Sequence, residues 1–311
     1  MSTRRRFLQA GAMATGLVSA TPRTLEQQSG SSAASNSELP VQVPKVKFGN
    51  AEISRLVIGS NPFNGFAHFN RALSAIMKEW YTPERVCATL HRCLRFGINA
   101  ATYSMGGSGP SDYERFRAEG GDMHLIVQAR GDPEPVLKAL KPLAFYHHGE
   151  DTDRAFQNGR MDAVREYCKK LRQLGVQVGV GTHKPEVIEL VEEQGWDVDF
   201  YAGCVYNRTR TPEEWRKLLN GELPLPPGEI YLESDPPRMY GVMRKTKKHC
   251  FAFKILAAGR LTDSEQLLDR AFRTAFESIK ATDCIFVGMF PRAKDEVRDN
   301  AERVCRILAS V

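Results

Sequence analysis

The residues of this 311-residue chain that could do chemistry stand in short clusters, each just after an apolar run. In order they are Ser60-Asn61, Thr102-Tyr103, Gln128 with Arg130, His147-His148 with Glu150, Thr182-His183-Lys184, Cys204 with Tyr206-Asn207, Lys254, and Gly288 to Arg292. Histidine beside carboxylate is the side-chain combination that exchanges protons near neutral pH. His148, His183 and a carboxylate such as Glu233 also make an oxygen-and-nitrogen set for a divalent metal, zinc, manganese or iron. A metal there would polarise a carbonyl or sugar hydroxyl for lyase, isomerase or hydrolase chemistry. The plainer reading is that His183 bonds Glu186 at a helix start while His147 packs behind its strand. Lys254 reads either as an anchor for an anionic substrate or as the partner of Glu233 or Asp235. Arg292 and Lys294 precede a helical pattern and either grip a phosphate with its free N–H groups or pair with Asp295 and Glu296. The run from Asn61 to Phe69 is too aromatic for an ordinary surface loop and suits either a pocket wall for a small flat or sugar-like substrate or a packed lid.

Such clusters act together only if the fold carries them to one end. From Val46 onward β-branched runs alternate with amphipathic stretches. Strands are predicted at 55–59, 98–103, 125–129, 143–148, 176–181, 199–205, 251–256 and 284–289. Helices are predicted at 83–96, 161–174, 185–194, 264–280 and 294–308. Pro83, Pro133 and Pro185 suit first-turn positions, and Gly97, Gly175 and Gly195 suit helix C-termini. Eight strand-then-helix units predict a single (β/α)8 barrel, whose chemistry belongs at the strand C-termini. A doubly wound sheet is disfavoured because no G-x-G-x-x-G follows the first strand. No second domain is expected; residues 208–236 read as an insertion.

Composition narrows the function classes. With 42% hydrophobic and 26% charged residues there is ample material for a core. The formal charge of +6 falls to +3 without the first twenty residues, too small a basic excess for a nucleic-acid footprint. No apolar run approaches the ~20 residues of a stable membrane span. The seven cysteines form no C-x-x-C pair and read as small core residues. Thr3-Arg4-Arg5-Arg6-Phe7-Leu8, followed by a weakly apolar stretch to Ala20, resembles a twin-arginine export signal. That resemblance implies a signal over 1–20, the twin-arginine export machinery as a partner, and a periplasmic or extracellular destination. Residues 21–44 then read as a flexible tether and 45–311 as the barrel.

Six segments resemble the aldo/keto reductase family. Ile53 to Gly59 (ISRLVIG) is similar to its first-strand motif and Gly97-Ile98-Asn99 to the opening of its second. Phe145 to Gly149 (FYHHG) resembles the fourth-strand L-L-H-G, which puts His148 at the family's catalytic histidine. Tyr206-Asn207 resembles the sixth-strand Y-N, and Leu256 to Leu261 (LAAGRL) the loop after the seventh. Val287-Gly288-Met289 with Glu296 to Asn300 resembles the phosphate- and adenine-binding end. The resemblance spans residues 45 to 311. It implies a (β/α)8 barrel and an NADP(H)-linked oxidoreductase of a small carbonyl or sugar-like compound, with Gly288, Arg292, Lys294 and Asn300 toward the cofactor.

The family's catalytic tetrad is degenerate here. Its aspartate aligns with Thr102, its lysine with Ala129 or Arg130, and its tyrosine has no counterpart, since Ser104-Met105-Gly106-Gly107 fills that loop. The carboxamide-holding positions read Gly181-Thr182 and Gly203. Tyr103 could donate the proton, but a phenol near pKa ~10 is a poor acid unaided. A protonated His148, its pKa raised by Glu150, could substitute. The expected set for an oxidoreductase is thus His148, Tyr103 and Arg130. The alternatives are the metal-dependent enzyme of His148, His183 and Glu233, and a ligand-binding barrel without catalysis.

Overall fold

The computed structural model describes residues 40–104, 109–223 and 229–311. Eight parallel strands close into a barrel: β3 (Leu56–Gly59), β4 (Ala100–Ser104), β5 (His124–Ala129), β6 (Ala144–His147), β7 (Gln177–Thr182), β8 (Phe200–Cys204), β9 (His249–Phe253) and β10 (Cys284–Gly288), with β10 pairing back onto β3. Each predicted strand is present within three residues of its expected place. The largest shift is at β9, which ends at Phe253 because Lys254 turns to the left-handed φ of +60°. An antiparallel hairpin that the sequence reading missed, β1 (Lys45–Phe48) and β2 (Ala51–Ser54), precedes the barrel.

Alternation along the strands builds two cores. Val57, Ile126, Phe200, Phe251 and Phe286 point inward, with Phe251 stacked on Phe286 at 4.6 Å. The hairpin supplies Phe48, edge-on to Phe200 and Phe251 at 5.2 Å each, so an aromatic plug fills the barrel at that end. The other strand faces pack against the helices: α1 (Arg71–Trp80), α2 (Pro83–Arg95), α3 (Gly109–Ala118), α4 (Glu134–Leu140), α5 (Gly149–Gln157), α6 (Met161–Arg172), α7 (Pro185–Glu193), α8 (Pro212–Leu218), α9 (Asp235–Lys245), α10 (Glu265–Ser278) and α11 (Glu296–Leu308).

Helix α2 shows how local sequence sets an element. The Thr82 hydroxyl accepts from the Arg85 N–H, Pro83 fills the first turn, and Val86, Cys87, Leu90 and Cys93 are buried along one face. Gly97 then takes φ +74°, where a Cβ would meet the Gln42 side chain at 2.8 Å. Gln42 also bonds the Arg95 carbonyl, Val43 is buried, and the Val43 N–H bonds the Phe96 carbonyl. Residues 40–44, read from sequence as the end of a tether, are therefore laid against the barrel. All seven cysteines are unpaired and six are buried, as core residues. Export-signal residues 1–20, and the tether up to 39, lie outside the described residues.

Candidate functional site at the strand C-termini

The polar clusters do converge on the end of the barrel where the strands finish. The most elaborate arrangement centres on His183, just past β7. Its Nδ1 lies 2.7 Å from Asp153 Oδ2, and its own backbone N–H donates to the same carboxylate. Asp153 is wholly buried on α5 and also accepts from the Thr182 hydroxyl at 2.5 Å and the Thr209 hydroxyl at 2.9 Å. With its oxygens accepting from these hydroxyls and from the His183 backbone, Asp153 fixes the imidazole tautomer with its proton on Nδ1. His183 is itself buried, which depresses its pKa more than the Asp153 bond raises it. It is therefore a neutral imidazole whose Nε2 has no hydrogen-bond partner among the described residues. The Glu186 partner expected from sequence pairs with Arg238 instead.

Described residues of the insertion also meet the barrel at this end. Glu229, nearly buried, pairs with His68 Nδ1 at 2.5 Å, Arg208 Nε at 2.6 Å and Lys254 Nζ at 3.0 Å, and accepts from the Tyr206 hydroxyl. Burial alone would raise this carboxyl, but His68, Lys254 and Arg208 together hold it far below the usual carboxylate range. Burial lowers Lys254 despite Glu229. So Lys254 pairs with Glu229, not with Glu233 or Asp235; Asp235 is taken by Arg210. Beyond Glu229, Arg208 also holds Glu150, whose pKa falls as a result even though burial opposes it. A cavity of 380 Å³ lies here, bounded by His68, Arg208, Trp215, Glu229 and Ile230.

The other expected residues are placed as follows. His148 stands at the start of α5, half-buried, with Arg130 Nη2 3.1 Å from its ring and Asp151 3.8 Å away. Burial and the Arg130 guanidinium lower its pKa, so Glu150 does not make it an acid at neutral pH: that carboxylate is committed to Arg208. Arg130 also bonds Asp151 at 2.7 Å. Tyr103 is turned into the strand–helix layer against Phe63 and Tyr113; burial raises its pKa well above 10, and its hydroxyl has no partner among the described residues. His147 packs on Tyr167 and bonds Thr152, with burial pushing its pKa down to about 4.

No group of three metal-ligating side chains is gathered among the described residues, so His148, His183 and Glu233 are not brought together as a metal set. Glu233 is exposed. At the expected cofactor tail, Gly288 ends β10 against Pro62 and Arg292 is exposed. Lys294 is paired with Glu265 and Asp299 rather than with Asp295 and Glu296. Asn300 is buried and accepts from Arg303 at 3.4 Å. The first turn of α11 carries Asp295, Glu296 and Asp299, a poor fit for the 2′-phosphate of NADP(H). Thr182, at a carboxamide-holding position, spends its hydroxyl on Asp153.

Sequence reasoning missed Asp153 and Glu229. A signal for the first was available, since α5 (GEDTDRAFQ) has so few apolar residues that Thr152 and Asp153 must face inward. Glu229 carries no such local signal.

No family model matches the chain, and no curated protein does. Solved structures do. A truncated 3-deoxy-D-arabino-heptulosonate 7-phosphate synthase from Thermotoga maritima matches at TM-score 0.51 and 15% identity, over 86% of this chain and 92% of that one. A point mutant of Gox0644 in complex with NADPH matches at TM-score 0.50 and 9% identity, over 86% and 89%. An aldo/keto reductase, 2,5-diketo-D-gluconic acid reductase B, matches at TM-score 0.46 and 12% identity, over 86% and 90%. At these identities the likeness establishes the TIM-barrel fold, which oxidoreductases share with synthases and isomerases.

Proposed function

We propose that this chain is an enzyme in which His183, held by Asp153, moves a proton on a small carbonyl- or hydroxyl-bearing compound at the barrel mouth. The buried Asp153–His183 pair carries the reading: a neutral imidazole with Nδ1 fixed presents Nε2 as a base. Lys254 and Arg208 supply positive charge close enough to lower the His183 pKa, and such charge favours an oxyanion formed beside it. The test is to incubate the purified chain with reducing sugars and small hydroxy or keto acids in D2O, with and without NADPH or NADP+. Proton NMR follows substrate conversion and deuterium uptake next to the carbonyl. Conversion that His183→Asn cuts by about 10²–10⁴ is expected. No conversion of any compound, or full conversion by the variant, would overturn the reading.

A second reading makes the enzyme an aldo/keto reductase-like, NADP(H)-linked oxidoreductase. The order of its sequence segments supports this, as does exposed Arg292, which has no side-chain partner among the described residues. When bound, NADP(H) would supply or accept hydride, and its phosphate would meet Arg292 ahead of the helix, because Asp295, Glu296 and Asp299 disfavour it at the first turn of α11. Arg292→Ala should then weaken NADPH binding about tenfold, measured by fluorescence titration. An intact chain that binds no NADPH leaves the proton-transfer enzyme without a redox cofactor. Export by the twin-arginine route remains part of the proposal and rests on residues 3–20.

A further inference from the structure

Resting on the proton-transfer reading, we infer that the cavity lined by Arg208, Trp215 and Glu229 holds an uncharged polyhydroxy ring, a neutral sugar, and not a phosphorylated or carboxylated compound. The cavity and the Asp153–His183 pair share one stretch of chain. Arg208 lines the cavity, and the adjoining Thr209 donates to Asp153. Its volume of 380 Å³ falls within the range of about 300–1,000 Å³ typical of small-molecule sites.

Two observations set the ligand class. The first is charge. Arg208 is held between Glu150 and Glu229, Lys254 is on Glu229, Arg210 on Asp235 and Arg130 on Asp151. An entering anion would find each of these cations already answered, and would face the Glu229 carboxylate in the wall. It would have to break an existing ion pair to gain one of its own. Neutral hydroxyls need no such exchange, since they donate to carboxylates and accept from guanidinium N–H groups. The second is Trp215, half-buried on α8, whose ring bounds the cavity while the Arg210 guanidinium covers it at 5.0 Å. An aromatic plane beside hydrogen-bonding charges suits a ring that is apolar on its face and polar around its edge.

Three pyranose probes of rising charge test this: D-glucose, D-glucuronate and D-glucose 6-phosphate, titrated into the full chain by saturation-transfer NMR. Glucose should bind in the millimolar range, with both anions at least roughly tenfold weaker. Trp215→Ala should weaken glucose about tenfold without lowering the melting temperature, while Trp215→Phe retains binding. Glucuronate or the phosphate binding as tightly as glucose, an unaffected Trp215→Ala, or no glucose binding at about 100 mM would each overturn the inference. Because His183→Asn should keep glucose affinity while losing conversion, failure of the cavity assignment and failure of the proton-transfer reading give different results.

Discussion

At the scale of single residues, function here turns on which histidine can be a base. His148 occupies the position that the family resemblance marks, yet the guanidinium of Arg130 lies against its ring and its nearest carboxylate is 3.8 Å away. His183 has a carboxylate at 2.7 Å and is buried. The difference predicts an order of sensitivity. Asp153→Asn should lower turnover by about 10²-fold or more, because the amide can hold the imidazole in the wrong tautomer. His148→Ala should lower it less. Steady-state kinetics on the two variants checks this, and the reverse order would return the role to His148. Tyr103, Tyr146 and Tyr206 are not competitors: burial raises each phenol, Tyr146 up to about 12.

At the scale of elements, the insertion after β8 completes the site. Glu229 ties it to the ends of β8 and β9 and to the 61–70 loop, all through one carboxylate. Glu229→Gln should therefore cost about 3–5 kcal/mol, by leaving Lys254 buried without its anion and Arg208 with Glu150 alone. Urea denaturation measures the loss, and hydrogen exchange should rise first in the described parts of the insertion, 208–223 and 229–236. A loss under about 1 kcal/mol would mean that the insertion is held by other contacts. The barrel strands were legible in sequence because parallel strands buried on both faces read as unbroken apolar runs. Hairpin β1–β2 was not, since KVKF and AEIS alternate charge with apolar residues and carry only Phe48 and Ile53 into the core. Helix α5 escaped for the opposite reason: its buried face is polar. The Glu229 centre was illegible because its partners stand up to 161 residues away, at His68, and only closure of the fold brings them together.

For the whole molecule, buried neutral histidines set an acid limit on stability. Burial, with Lys280 and Arg55 nearby, pushes His249 at the plugged end down to about 3, and burial pushes His147 to about 4. Both lie below the unfolded value near 6.5, so the unfolded chain takes these protons first and stability falls as pH drops from about 6.5 toward 4. His249→Phe should flatten that slope by on the order of 2–3 kcal/mol, because its Nε2 is buried without a partner among the described residues and its neighbours are Phe48 and Phe251. Melting temperature against pH is the check, and an unchanged slope would contradict the burial argument. The proposed export concerns the entire chain too: Arg4→Lys with Arg5→Lys should leave the precursor in the cytoplasm, and a double variant exported normally, as fractionation would show, would overturn that proposal. The account as a whole rests on a neutral His183 held by Asp153, and nitrogen-15 NMR of histidine-labelled protein reads that state directly. It predicts an Nδ1–H tautomer that is neutral at pH 7 and is lost in Asp153→Asn. A His183 that is protonated at pH 7, or that carries its proton on Nε2, would contradict it.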